Sequence, residues 1–353
     1  DESRVLPISV IENKLEQILI TGGEDRLNEY RDELRTVAEE LGMQTEFAKI
    51  NSIISALLST HDAKILSTDS AKALAAGNPF DKTRVELFEV FFDAIKDRYF
   101  VIRNNRNTDE ESFRLFSFFE SYFSNYIEGT EFEIDEAKAI VDSGIPMPRR
   151  DEDSHDILGT FKVLSNRAEM MKTPTSPKEL FAILSHRHSI LLEGRPHMNP
   201  GIFKTKNNRA GMTEFVDYQL VKGTLSQGFK YYAALTDPFA RAIFMMFMIS
   251  EVHPFNDGNG RVARVMMNAE LVRADQSRII VPTVFREDYI LALRKLTRHK
   301  DPLAYINVMT KLHQFSDNLY GTDFTELKNY LATCNAYEEP SQAKLQIIDR
   351  SIL

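Results

Sequence analysis

Apolar residues recur at three- and four-residue steps along most of the chain, the spacing of one helical face. Ile8, Ile11, Leu15, Ile18 and Leu19 form a first stripe, closed by Gly22-Gly23. Leu27, Tyr30, Leu34, Val37 and Leu41 form a second, with Gly42 placed as its C-terminal cap. Both stripes are expected to be core. Gly77-Asn-Pro79 reads as a turn, and a Phe-rich helix follows with Leu87, Phe88, Phe91, Phe92 and Ile95. Thr108-Asp-Glu-Glu111 fits a capping box with Thr108 as N-cap. The helix it opens carries Phe113, Phe116, Phe119, Phe123 and Tyr126 and is expected to stop near Gly129. Ser176-Pro-Lys-Glu179 starts another helix, with proline at its first position, running to about Leu192.

The helical pattern breaks between Pro200 and Gly228. The turn signal Lys206-Asn-Asn-Arg-Ala-Gly211 and the run Met212-Thr-Glu-Phe-Val216 predict a β-hairpin there. Asp237-Pro238 opens a helix holding the apolar run Ile243–Ile249, which must end at Val252 because Pro254 cannot continue it. That run is too short to cross a bilayer. After Gly260 the helical period returns with Val262, Val265, Met266 and Ala269. Ile279-Ile-Val-Pro282 is extended, and a further helix carries Tyr289, Leu291, Leu293 and Leu296. The fold class predicted is mainly α, a helical core with one hairpin. Four regions are expected: helical 1–106, helices at 107–172, a core at 173–315 and a helical tail at 316–353.

Composition narrows the function classes. The 353 residues are 43% hydrophobic and 27% charged, enough apolar material for one large or two modest domains. A net charge of -9 argues against a nucleic-acid partner, which a basic face would meet. The single cysteine, Cys334, excludes an internal disulfide and a cysteine-based zinc site. With no visible signal peptide or membrane span, the expectation is a cytoplasmic protein with no membrane partner, a secreted effector being the alternative; the chain begins at Asp1 rather than Met, which leaves open a native N-terminus further upstream.

One segment concentrates chemistry: His253-Pro-Phe-Asn-Asp-Gly-Asn-Gly-Arg-Val-Ala-Arg264. It joins two helices, and the start of the second presents free N–H groups and a positive dipole end suited to phosphate. Gly258 and Gly260 allow close backbone approach and a nest of N–H groups. Arg261 and Arg264, one turn apart, can reach phosphate oxygens in forked geometry. Asp257 is a hard oxygen ligand suited to Mg2+, and His253 can accept a proton near neutrality. Base, metal ligand and anion cradle in one loop are what phosphoryl or nucleotidyl transfer needs. Each part alone is ordinary: a helix-end histidine usually caps, and Gly-Asn-Gly is usually a turn. The combination at fixed spacing is not.

The segment resembles the signature of Fic-domain proteins, His-Pro-Phe-x-Asp/Glu-Gly-Asn-Gly-Arg-x-x-Arg, and matches it at every defined position. The resemblance covers about Ser176 to Leu312 and implies transfer of AMP from ATP onto a protein hydroxyl. It implies His253 as the base for a target Ser, Thr or Tyr, Asp257 as the Mg2+ ligand, and Asn259, Arg261 and the amides around Gly258 and Gly260 on the α- and β-phosphates. Arg264 would reach the γ-phosphate, Phe255 would fix the loop, and the hairpin residues Met212, Thr213 and Glu214 would align the target by strand pairing. Tyr289 is a candidate adenine wall and equally a core aromatic. Relatives that act as kinases, such as Doc toxins, are altered around Gly258 and Arg261, so the intact run favours AMP transfer.

Many proteins of this kind carry an inhibitory helix of pattern Ser/Thr-x-x-x-Glu-Gly/Asn, whose glutamate pairs with the second arginine of the signature. Ser124-Asn-Tyr-Ile-Glu-Gly129 fits, and so does Ser189-Ile-Leu-Leu-Glu-Gly194. The first ends a separate helix upstream of the core, the place the resemblance implies, so Glu128 rather than Glu193 is expected on Arg264. Alternatives are an enzyme that also or mainly removes AMP, and an idle adaptor of the same fold. A hydrolase using His186, His188 and His197 matches no zinc spacing. Self-association into a homodimer is an option the resemblance brings.

Overall fold

The computed structural model describes residues 6–350, and they divide into two compact units. The first takes the chain up to Lys82 together with Gln219–Thr224. Its helices are α1 (Ile8–Leu41), α2 (Gln44–Leu57) and α3 (Asp69–Ala75). The two predicted N-terminal stripes lie on one element: α1 runs through, broken only at Gly23, whose φ of 75° is the left-handed conformation glycine tolerates. Gly42 caps it in the same conformation, as expected. Leu15 and Leu27 pack with Ile53, Ile54 and Leu57 of α2 and with Leu66. The expectation that both stripes are wholly core does not hold. Ile8, Val37 and Leu41 are exposed, because α1 has covering neighbours only along the face that meets α2 and α3.

The second unit holds Thr83–Tyr218 and the chain from Leu225 onward. Its helices begin with α4 (Lys82–Ile95), most of which lies in it, α5 (Glu110–Ile127), α6 (Ile134–Ser143), α7 (Asp151–Leu164), the short α8 (Arg167–Met170) and α9 (Pro177–Leu191). A hairpin of β1 (Arg209–Ala210) and β2 (Thr213–Glu214) follows. Then come α10 (Val221–Ala234), α11 (Pro238–Val252), α12 (Asn259–Arg273), α13 (Arg286–His299), α14 (Pro302–Ser316) and α15 (Phe324–Thr333). Among the described residues no helix is long and apolar enough to cross a membrane.

α11 is the axis of this unit. Its run from Phe239 to Ile249 is buried apart from Arg241, so its apolar residues face neighbours on every side. Phe88 and Phe91 of α4 meet Phe244 and Phe247 edge-on or stacked, with centroids 5.2–6.3 Å apart. α12 packs along α11, and α5, α7, α8 and α9 pack against α12. Helix starts follow the predicted caps: Ser176 accepts from the Glu179 N–H, and Asp237 from the Ala240 N–H. At α5 the cap shifts by one residue. Asp109, not Thr108, accepts the backbone N–H of Ser112, a stronger acceptor in the same register. Cys334 is a buried helix-end residue.

Candidate functional site

The signature loop is held open by backbone conformation and ring stacking. His253 ends α11 with φ 51°, its N–H bonded to the Ile249 carbonyl at 2.9 Å. A non-glycine residue in this region costs about 1 kcal/mol and turns the chain sharply. Phe255 then drops into the interior and stacks on the His188 ring at 3.7 Å and 7°. His188 is pinned at both nitrogens: Gly201 N–H donates to Nδ1 at 2.8 Å, and Nε2 donates to the Asp257 carbonyl at 2.9 Å. Burial pushes His188 down to about 4, so it stays neutral and serves as a strut. The hydrolase reading of the histidines therefore fails. His186 and His197 are exposed, and no group of three or more metal-ligating His, Cys, Asp or Glu side chains occurs among the described residues.

Asn259 braces the loop while lining the same cavity as its neighbours. Its side chain brackets Phe255, accepting that residue's N–H at 2.8 Å and donating to its carbonyl at 2.9 Å. One of its two amide hydrogens is left over. Gly258, at φ 70°, is the N-cap of α12. Gly260 is next to the first turn's opening, where an added Cβ would come within 2.2 Å of a Glu128 oxygen. The carboxylate of Glu128 therefore lies at the N-terminus of α12, where an anion is stabilised.

Arg264 meets that carboxylate. Its Nη2 donates to Glu128 Oε1 at 2.6 Å and to the Ser124 carbonyl at 2.8 Å, and its Nε to Ser124 Oγ at 2.9 Å. Burial works against the guanidinium charge, but Glu128 outweighs it and keeps Arg264 firmly protonated. Glu128 caps the end of α5, and Gly129 turns away at φ 91°. The competing Glu193 pairs instead with Lys162 at 3.0 Å, both exposed.

Arg261 is not among the residues that line the cavity; it pairs with Asp156 of α7 at 2.8 Å and, at 3.4 Å, with Asp257, which does line it. Asp156 also takes Arg195 in a 2.8 Å ion pair. No motif announces Asp156; only its place on the buried face of α7 could have flagged it. Replacing Asp156 by asparagine leaves two largely buried guanidinium groups short of charge and is expected to destabilise the protein by about 3 kcal/mol or more. Urea unfolding measures it, and a loss below about 1 kcal/mol would refute this account of the pair.

His253 lies flat on Phe215, ring centroids 3.6 Å apart and 5° from parallel. Its Nδ1 is 3.2 Å from the Ser250 carbonyl. A carbonyl only accepts, so Nδ1 carries the hydrogen and Nε2 keeps its lone pair. Burial, aided by the Lys204 ammonium, holds the imidazole down at about 4. Lys204 is buried beneath the hairpin, bonded to Asn208 Oδ1 at 2.7 Å, and burial lowers it to about 8. Phe215 and Lys204 were not visible as site residues in the sequence, since neither belongs to the signature.

The hairpin is tied down at β2. Arg84 of α4 donates to the Glu214 carbonyl at 2.7 Å and pairs with Glu251 at 2.6 Å. Glu251 also accepts from Thr297. Arg298 of α13 donates to Thr213 Oγ1 at 3.1 Å. Met212 at the tip is 95% exposed.

These elements enclose a cavity of about 440 Å3. His253, Asp257, Gly258, Gly260, Arg264 and Glu128 all line it. Tyr289 joins the wall while remaining buried, its hydroxyl 3.8 Å from the Met246 sulfur. The cavity thus presents a neutral base, one carboxylate suited to a cation, and an anion cradle now filled by the protein's own glutamate.

Residues 178–271 match the Fic/DOC family, a span from α9 to α12 that contains the whole signature loop. Protein adenylyltransferase Fic of Nematostella vectensis is 25% identical over 214 residues, 56% of this chain and 47% of that protein. Protein adenylyltransferase fic-1 of Caenorhabditis elegans is 26% identical over 231 residues, 64% of this chain and 45% of that protein. The chain thus spans less than half the length of these relatives. The solved structure of C. elegans Fic-1 (residues 134 to 508) superposes with a TM-score of 0.50 at 16% identity, covering 91% of this chain and 92% of that one. That likeness extends the shared helical fold well beyond the matched segment. The chain carries a domain of the Fic/DOC family, built on α9 to α12 around the His253–Arg264 loop.

Proposed function

We propose that the protein is an adenylyltransferase that moves AMP from ATP to a Ser, Thr or Tyr hydroxyl of another protein, and that Glu128 restrains it. The observation carrying this reading is the 2.6 Å pair between Arg264 and Glu128 in the cavity that also holds His253. The signature arginine faces a carboxylate at a helix N-terminus, where a phosphate would be equally well received. The named activity of the relatives agrees with this chemistry.

In the forward reaction the target hydroxyl gives its proton to His253 Nε2 as its oxygen attacks the α-phosphorus. The bond from that phosphorus to the bridging oxygen breaks, and pyrophosphate leaves. The N–H groups at Gly258 and Gly260 and the start of α12 receive phosphate charge, and Arg264 takes the γ-phosphate once Glu128 releases it. Asp257 suits Mg2+, since one protein carboxylate with substrate oxygens and water is the usual set for this ion. When bound, Mg2+ would neutralise phosphate charge. Arg261, already paired with Asp156, contributes by holding the loop and the helix start.

A second activity has one observation in its favour. Only one oxygen of Glu128 is bonded among the described residues, and the carboxylate borders the same cavity as His253. A carboxylate so placed can orient water for removal of AMP from a modified target. The test of the main reading is mass spectrometry of a lysate treated with ATP and the Glu128→Gly variant. AMP added to a defined hydroxyl residue is expected; a phosphate added instead, or no adduct, would overturn the assignment.

A further inference from the structure

The arginines around the cavity fall into two groups. Arg84, Arg261 and Arg264 each hold a carboxylate, at 2.6, 2.8 and 2.6 Å. Arg209, Arg294 and Arg298 also line the cavity, and all three are exposed. None of these three forms an ion pair among the described residues, although the protein carries a net charge of -9. Acidic side chains are in surplus, yet among the described residues none forms an ion pair with these three, not even Glu214, the cross-strand partner of Arg209. Lys295 is exposed on α13, the helix of Arg294 and Arg298, while Lys300, just beyond its end, pairs with Glu86 at 3.6 Å.

Their position separates them from the phosphate cradle. Arg294 and Arg298 are one turn apart on α13 and share a face. Tyr289, on the same helix, is beside Arg264. Nine residues further, at 1.5 Å each, Arg298 lies about 13 Å along the axis. There it bonds Thr213 of β2, and Arg209 stands on β1 directly opposite Glu214. The positive rim is therefore at the hairpin end of the cavity, away from the start of α12.

Resting on the adenylyltransferase reading, we propose that the target segment is acidic, with Asp or Glu flanking the modified hydroxyl and received by Arg209, Arg294 and Arg298. Two-stranded pairing alone reads only main chain, so side-chain selection has to come from groups beside the hairpin. Three guanidinium groups without a carboxylate partner among the described residues favour carboxylates and disfavour lysine or arginine at those positions. Exposed pairs are individually weak, so the selection is cumulative and screened by salt.

The experiment uses the Glu128→Gly protein with Mg·ATP and peptides built on the first site found in lysate. Sets differ only in flanking residues: aspartate, asparagine or lysine. The aspartate set is expected to show kcat/KM about tenfold above the asparagine set, with lysine lower still and the difference shrinking at high salt. Arg209→Glu with Arg298→Glu should reverse the order, and binding of a fluorescent ATP analogue is measured alongside. A ranking blind to flanking charge, or loss of nucleotide binding in the double variant, overturns the inference and leaves the adenylyltransferase reading standing. Failure of the Glu128→Gly protein to modify anything in lysate removes that reading, and this inference with it.

Discussion

Replacing Glu128 by glycine is expected to raise automodification from labelled ATP by roughly 5- to 150-fold, the range that a competition worth 1–3 kcal/mol produces. The ground is that, on the proposed reading, Arg264 has two mutually exclusive partners. Its Nη2 now reaches Glu128 at 2.6 Å, and Glu128 fills the start of α12 so closely that a Cβ on Gly260 would collide with it. A γ-phosphate must displace that carboxylate before it can use the arginine. Glycine suits the position, since Glu128 is a helix-end residue rather than an interior one. Glu128→Gln separates charge from bulk: it keeps a hydrogen-bond acceptor but loses the ion pair, so an intermediate rise is expected. The variant should also be less stable without nucleotide and gain more in Tm from Mg·ATP, because a buried guanidinium then finds its counter-charge only in the ligand. Unchanged automodification in Glu128→Gly would sink the restraint.

If Glu128 restrains the enzyme as proposed, the fixing of α5 confines that restraint to one turn rather than to a whole moving helix. Its Glu120 pairs with Arg278 at 3.0 Å and accepts from Asn268 at 2.7 Å, all deep in the interior. Phe123 stacks on Tyr337 at 5.5 Å, and Phe119 on Phe324 at 5.8 Å. Burial raises Glu120 to about 7 despite Arg278, a sign of how dry this seam is. Exchanging Glu128 for another anion at Arg264 therefore asks only the carboxylate at the end of α5 to move, with the bonds to Ser124 left in place.

Much of this was legible in the sequence because local rules and tertiary packing agree there. Proline and aspartate at helix starts, glycine at Gly42 and the apolar period of α11 all act within a few residues. The signature was legible because its residues are contiguous. Asp156, Phe215, Lys204 and Arg84 were not, because each reaches the site from another element and carries no pattern of its own. The bracing contacts of Asn259 and Arg261 were not legible for a related reason. A motif records that a residue is needed and not which neighbour it serves; here Asn259 braces Phe255 and Arg261 neutralises Asp156. The exposed part of the α1 stripe shows the limit of periodicity, which gives a face but not whether anything covers it.

Replacing His253 by alanine in the Glu128→Gly protein is expected to cut AMP transfer by about 10²- to 10⁴-fold, the usual contribution of a general base. Nucleotide binding should be retained, because the proposed phosphate contacts come from the start of α12 and Arg264 rather than from the imidazole. The pH profile of the unreplaced base carries more information than the loss. An ordinary histidine titrates near 6.5 and would be increasingly protonated, and idle, below that pH. His253 is held at about 4 by burial and by Lys204, so its Nε2 stays available through pH 5 to 6. Transfer measured at saturating Mg·ATP should therefore lack an acid limb near 6.5. Phe215→Ala supplies the converse: uncovering one ring face admits water, removes part of the burial, and should bring the acid limb up toward 6.5 while lowering kcat. An acid limb already at 6.5 in the parent protein, unmoved by Phe215→Ala, would show that the group titrating is not a base shielded by the hairpin.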